Sequence, residues 1–207
     1  MQENVTKRRG RPKSAEKAAA IQHAAVGLFM TDGMERTSMD AIASAAGVSK
    51  QTVYSHFHSK DDLFRACVAS KVEIYGLDES NLAVDDDLDT VLQHIGRKYL
   101  TLLSDMGVIR MFRLMMSEAD THADMVSSFY ETGPVTTSRN IANIMKGFLA
   151  NTDDELALEA TRDFLSLIRA DYFLELLLGT RSEIAQDERD RHIDLCISQI
   201  RKLYEFK

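Results

Sequence analysis

The stretch Thr37-Ser-Met-Asp-Ala-Ile-Ala-Ser-Ala-Ala-Gly-Val-Ser-Lys-Gln-Thr-Val-Tyr-Ser-His-Phe-His-Ser-Lys60 encodes two short helices with almost nothing between them. Thr37 and Ser38 offer N-caps, Asp40 stands three residues after Thr37, and Ile42, Ala43 and Ala46 supply an apolar face. Gly47 permits the positive φ that ends this first helix. After Gly47 and Val48 alone, Ser49 caps a second helix running through Phe57. The small Ala43 lets the pair touch, while Val48 and Val53 lock it against a preceding helix. By spacing, residues 37–56 are a helix-turn-helix.

Working outward, Ser14 caps a helix over about 15–32, with Ile21, Ala24, Ala25, Leu28 and Phe29 on one face and Gly33 as a left-handed stop. On the other side, Ser59 and Asp62 form a capping box for a fourth helix that turns Leu63, Phe64, Cys67 and Val68 inward and closes at Gly76. Lys60 sits in its first turn, where a cation opposes the helix dipole. A compensating benefit is expected there, and phosphate contact is the candidate.

The remainder reads as helices throughout. Asp85, Asp86 and Asp87 favour the start of a helix bearing Leu88, Val91, Leu92, Ile95, Tyr99, Leu102 and Leu103. Another begins near Val108. Gly133 and Pro134 punctuate the chain, Pro134 suiting the first turn of a helix to about Ala150. Thr152 with Glu155 caps a long helix ending at Gly179, and a last helix covers about Ile184 to Glu205. Between Phe164 and Leu178 only Ser166, Arg169, Asp171 and Glu175 are polar, so that helix needs cover on two sides, from its own core and from a second subunit.

The 207 residues include only 2 prolines and 10 glycines, against a turn-rich all-β protein, and they carry a net charge of −7. That charge is unevenly spread. Up to Lys60 there are nine Lys and Arg against five Asp and Glu; beyond it, sixteen against twenty-seven. A basic head on an acidic body attracts phosphates at one end only. Cys67 and Cys196 lie too far apart in sequence for a zinc or redox motif and read as buried small residues. Basic residues at the start are followed by no apolar run, and no segment approaches the ~20 apolar residues of a membrane span, so a reducing, cytoplasmic setting without membrane contact is expected.

Catalytic chemistry has thin support. Glu118, Asp120, His122 and Asp124 are the one tempting constellation, but they surround a bend between helices. The acidic run Asp78–Asp89 lacks the central glycine and closing glutamate of a calcium loop, and His56 with His58 finds no further ligand. There is no phosphate-cradling loop or nucleophile elbow, and neither metal nor cofactor is expected.

The segment Thr37–Lys60, followed by Asp-Asp-Leu-Phe64, resembles the DNA-binding head of the TetR family of bacterial regulators. The capped short helix, Ala-Gly-Val-Ser, Tyr-x-His-Phe, Ser-Lys and Leu-Phe are all present, and with the first helix the match covers about Ser14 to Ile74. Phe112-Arg-Leu-Met-Met-Ser-Glu-Ala119 and Phe129-Tyr-Glu-Thr-Gly-Pro134 resemble the C-terminal body of the AefR-like branch, although a proline usual between Glu118 and Phe129 is missing. The expected fold is all-α: a basic arm at 1–13, a three-helix DNA-binding domain at 14–74, and a larger helical bundle at 75–207 that binds an effector and dimerises.

The resemblance implies that the second short helix enters the major groove, and its residues suit the task. Gln51 can bond adenine twice, Lys50 can donate to guanine, and the Thr52 methyl can pack on thymine. Ser49 and Ser55 flank this set. By analogy Tyr54 and His56 grip phosphates, while Ser38 and Lys60 complete a clamp on the backbone. Ahead of the head, Arg9-Gly-Arg11-Pro12 resembles the core of an AT-hook, whose arginines fit a narrow minor groove. That arm admits a second reading, a DNA-architectural protein of little sequence preference; such proteins are usually positively charged.

One head reads too few base pairs for useful specificity, so a homodimer on a palindromic operator is expected. By resemblance the last two long helices form the interface, with Phe164, Leu167, Ile168, Tyr172, Leu176, Ile193, Ile197 and Ile200 as candidates. Met106, Met111, Met115, Met116, Met125 and Met145 crowd the middle of the body, where flexible side chains suit a pocket for a small apolar effector. Tyr99, Phe112, Phe129 and Phe173 would share it, and Arg110 or Arg113 could meet an acidic ligand group. The family implies a ligand-responsive repressor.

Overall fold

The computed structural model describes residues 13–77 and 87–207. Eleven helices are named among them: α1 (Lys13–Arg36), α2 (Met39–Ala45), α3 (Lys50–His56), α4 (Lys60–Tyr75), α5 (Leu88–Ser104), α6 (Met106–Glu118), α7 (Ala123–Tyr130), α8 (Thr136–Lys146), α9 (Asp154–Arg169), α10 (Tyr172–Leu178) and α11 (Gln186–Leu203). The described residues form no strand, only an antiparallel bridge between Leu149 and Phe206. Their packing divides the chain between Cys67 and Val68, within α4.

In the first unit, Ile21, Ala25 and Phe29 of α1 are wholly buried with Ile42, Val53 and Leu63, and the Phe29 and Phe64 rings meet edge to face at 5.9 Å. Burial recurs every four residues along α1, the spacing of one helical face. Gly33 breaks α1 where expected, at φ 80°, before one last turn to Arg36. The buried Thr37 does not cap α2: its hydroxyl donates to the Gly33 carbonyl at 2.8 Å. Cys67 is buried, its thiol pushed up to about 12 by desolvation, which leaves it inert.

The second unit has a core built from α5, α8, α9 and α11, with α8 packed on α9 and α11 on both α5 and α9. α5 approaches α11 and α9 closely at Gly96, where a Cβ would stand 2.9 Å from Ile193 and 3.2 Å from Ile168. Asp87 caps α5, and the backbone N–H of Thr90 holds its carboxyl below the usual carboxylate range; Asp85 and Asp86 lie outside the described residues.

The fold departs from expectation at three further places. Pro134 does not start a helix. It lies within a π turn, Glu131–Val135, that joins α7 to α8. Proline has no N–H for the Tyr130 carbonyl, and the wider turn accommodates it, with Thr136 N–H reaching Glu131 five residues back. The long helix to Gly179 is two helices, broken at Ala170 with φ 36°. Carbonyls of Leu167 and Ile168 at the break accept from Nε2–H of His192 on α11, at 3.1 and 3.0 Å. Finally, α9 is capped by Asp153 rather than Thr152.

Candidate nucleic-acid interface

Both short helices are capped by their serines. Ser38 Oγ accepts from Ala41 N–H and Ser49 Oγ from Thr52 N–H, each at 3.1 Å. Gly47, at φ 65°, makes the turn between them, and its N–H bonds the Ser44 carbonyl. Val53 turns into the core, so Lys50, Gln51, Tyr54 and Ser55 stand exposed on the rest of α3. Thr52 and His56 are half-buried. The Thr52 hydroxyl is shared with Ser49 at 2.9 Å, and Ser55 donates to the Thr52 carbonyl at 2.7 Å. This arrangement offers one amide, one ammonium and one phenol from a rigid, short element. Arg9 and Arg11 lie outside the described residues.

Lys60 has a different task from the one expected. Its ammonium donates to the carbonyls of Met34, Glu35 (3.4 Å) and Thr37 (3.1 Å), so all three of its protons are used within the protein. It closes the C-terminal end of α1, whose last carbonyls lack helical partners. Asp40 is the residue whose role sequence reasoning missed: both its oxygens reach Lys50 Nζ, at 2.8 and 2.9 Å. The pair joins the first turn of α2 to the first turn of α3.

Of the effector candidates, the structure brings three together. Phe112 meets Phe129 edge to face at 5.0 Å and Phe173 at 4.9 Å, uniting α6, α7 and α10. Met111 and Met115 are buried on α6, whereas Met116 is 63% exposed and leaves the group. Tyr99 packs against the main core, with burial raising its hydroxyl pKa and Arg169 opposing. Arg113 is committed elsewhere: it donates to the Leu177 and Leu176 carbonyls at 2.8 and 3.2 Å, closing α10. His122 pairs with Glu118 at 2.7 Å, and among the described residues no three His, Cys, Asp or Glu side chains are grouped to hold a metal ion. No helix of the described residues is long and apolar enough to cross a membrane.

Most of the interface candidates are corrected. Phe164, Ile168, Leu176, Ile193, Ile197 and Ile200 are at most 6% exposed in the single chain, and side chains enclosed by their own core have no surface left for a partner. Leu167 and Tyr172 remain partly exposed. The exposed leucines of α10 and α11 are Leu174, Leu178, Leu195 and Leu203, at 55–67%.

Residues 21–67 match the profile of bacterial regulatory proteins of the tetR family, and residues 90–205 match that of the AefR-like transcriptional repressor C-terminal domain. The chain is 37% identical over 75 residues to the HTH-type transcriptional regulator AcrR of Shigella flexneri, covering 36% of this chain and 32% of that one. Against the HTH-type transcriptional repressor ComR of Escherichia coli K12 it is 42% identical over 62 residues, 30% of this chain and 29% of the other. The match thus spans about a third of the length of these two proteins. Among solved structures, the flavonoid-responsive regulator FrrA superposes with a TM-score of 0.73 at 29% identity, over 92% of this chain and 98% of that one. A TetR-family transcriptional regulator from Mesorhizobium loti MAFF303099 gives 0.71 at 26% identity, over 94% and 100%. With the family's head matched at one end and an AefR-like profile taking in more than half of its length, the chain belongs to the TetR family of bacterial transcriptional regulators.

Proposed function

We propose that this protein is a sequence-specific repressor that binds a palindromic operator as a homodimer and responds to a small apolar effector. The observation that carries the DNA reading is the exposed Lys50, Gln51 and Tyr54 on a helix whose opposite side is anchored by Val53. A helix fixed on one side and polar on the other reads base edges without paying to order itself.

The effector reading rests on the Phe112, Phe129 and Phe173 rings. Three edge-to-face aromatics beside buried methionines favour a flat, largely apolar guest. FrrA being flavonoid-responsive supports that chemical class. With Arg113 committed to α10, Arg110 is the candidate arginine left for an acidic ligand group. The same α6 is capped by Asp105, whose carboxylate holds Lys71 (3.2 Å) and Tyr75 (2.8 Å) of α4. An effector that shifts α6 therefore changes what α4 is tied to, and it alters DNA affinity only if it binds one arrangement better than the other.

For the partner subunit, Leu167 and Tyr172 stay in the contact set, and Leu174, Leu178, Leu195 and Leu203 take the place of the buried Phe164, Leu176 and four isoleucines. The deciding experiment is selection from randomised duplex at fixed physiological salt. One enriched palindrome is expected. Binding without enrichment overturns the reading in favour of an architectural protein.

A further inference from the structure

On α3 the cation is not free. Lys50 is the first residue of the helix, at the positive end of its dipole, and no acidic residue stands in that turn. Asp40, from the first turn of α2, supplies the missing charge across the turn of the helix-turn-helix, with one carboxylate oxygen at 2.8 Å and the other at 2.9 Å from Nζ. Tyr54, one turn along α3, places its ring centroid 6.0 Å from the same nitrogen. Both members of the ion pair are about 60% exposed, so the pair does little for the fold. Its consequence lies in what the ammonium can do next.

An ammonium has three donors and no acceptor. The two Asp40 oxygens lie too close together to take a proton each, so one donor serves the carboxylate and the others are left for a further partner. A lone lysine on a DNA-reading surface falls readily on phosphate, because phosphate attraction is strong, long-ranged and independent of sequence. A lysine paired with a carboxylate is neutral at a distance, and its partner repels phosphate. What survives is a short-range donor that needs an uncharged acceptor, such as O6 or N7 of guanine. Resting on the DNA-binding reading above, we propose that Asp40 is a specificity-determining positioning residue: it withholds Lys50 from phosphates and turns its remaining donors to a base.

The test uses the full chain with Asp40→Asn, Asp40→Glu and Lys50→Gln, each put through duplex selection and through binding titrations at several salt concentrations. Lys50→Gln identifies the base pair Lys50 reads. At that same pair, Asp40→Asn is expected to reduce a preference of about tenfold to under about threefold. It also raises affinity for scrambled duplex and steepens the salt dependence by about 0.9 in log–log slope per half-site, as one more lysine becomes free to neutralise phosphate. Asp40→Glu restores both. The proposal is overturned if Asp40→Asn keeps the wild-type preference, flattens a different base pair, or leaves the salt slope unchanged. Wild type that enriches a palindrome alongside an indifferent Asp40→Asn sinks this inference alone; wild type that enriches nothing sinks the DNA reading with it.

Discussion

Three carbonyls at the end of α1 and the three protons of one ammonium make a closed set, and this match decides what Lys60 is for. The Met34 and Thr37 carbonyls are part-buried, so losing their donor costs part of a desolvation penalty, and a charged donor recovers more than a neutral one. Lys60→Met should therefore lower stability by about 1.5–3 kcal/mol, read as a smaller urea midpoint, while the salt slope of DNA binding stays at the wild-type value. A slope shallower by about 0.9 per half-site with an unmoved midpoint would instead return Lys60 to the phosphates. The sequence did flag this residue. A cation in the first turn of α4 implied a compensating partner, and only the identity of that partner needed coordinates, because Met34, Glu35 and Thr37 lie more than twenty residues away. Local chemistry was legible where the two short helices meet: the Ser38 and Ser49 caps and Gly47 follow from neighbours within four positions. The Asp40–Lys50 pair was not, because Asp40 equally suits the start of its own helix.

Elements are joined in this protein by side chains that serve two helices at once. Asp105 ends α5, caps α6 by accepting Val108 N–H at 2.9 Å, and receives Lys71 and Tyr75 from α4. Burial would raise its carboxyl, but the bonds from Tyr75, Val108 and Lys71 outweigh burial and hold it below the ordinary carboxylate range. A depressed folded-state pKa means stability that is present above the unfolded value, about 3.9, and lost as pH falls through the lower folded value. Asp105→Asn should thus cost about 1–2 kcal/mol at pH 7, and the gap from wild type should close below about pH 4, since a protonated Asp105 resembles the asparagine. Urea unfolding across pH 2–7 measures it; a gap of constant size would show that the charge of Asp105 contributes nothing. Joints of this kind also explain which boundaries the periodicity missed. The break at Ala170 depends on His192 from α11 satisfying carbonyls of α9, and Pro134 is absorbed by a π turn, so neither is written in the apolar spacing around it.

At the scale of the molecule, the question is which apolar surface the chain has left after building its own core. An apolar stripe along a helix shows that one side must be covered, and the sequence carries such a stripe on the last helices. It did not separate cover by the protomer from cover by a partner, since both look alike in a one-dimensional pattern. In the fold, Ile193 and Ile200 are covered by the protomer at no more than 1% exposure, whereas Leu178 and Leu195 are left 67% and 57% exposed. Burying an exposed leucine contributes about 1.5–3 kcal/mol, and placing a carboxylate in an apolar contact reverses the sign. The double variant Leu178→Glu, Leu195→Glu should then weaken self-association by at least about a thousandfold, with the unfolding midpoint of the chain little changed. Sedimentation at micromolar concentration gives the readout: wild type as a dimer, the variant as a monomer that no longer enriches a palindrome. Ile193→Ala is the contrasting change, expected to cost about 2–5 kcal/mol of stability through the cavity it leaves beside Gly96. If the leucine variant stays dimeric, the partner surface lies elsewhere; if wild type is itself monomeric at that concentration, the palindromic dimer is lost as a reading of this protein.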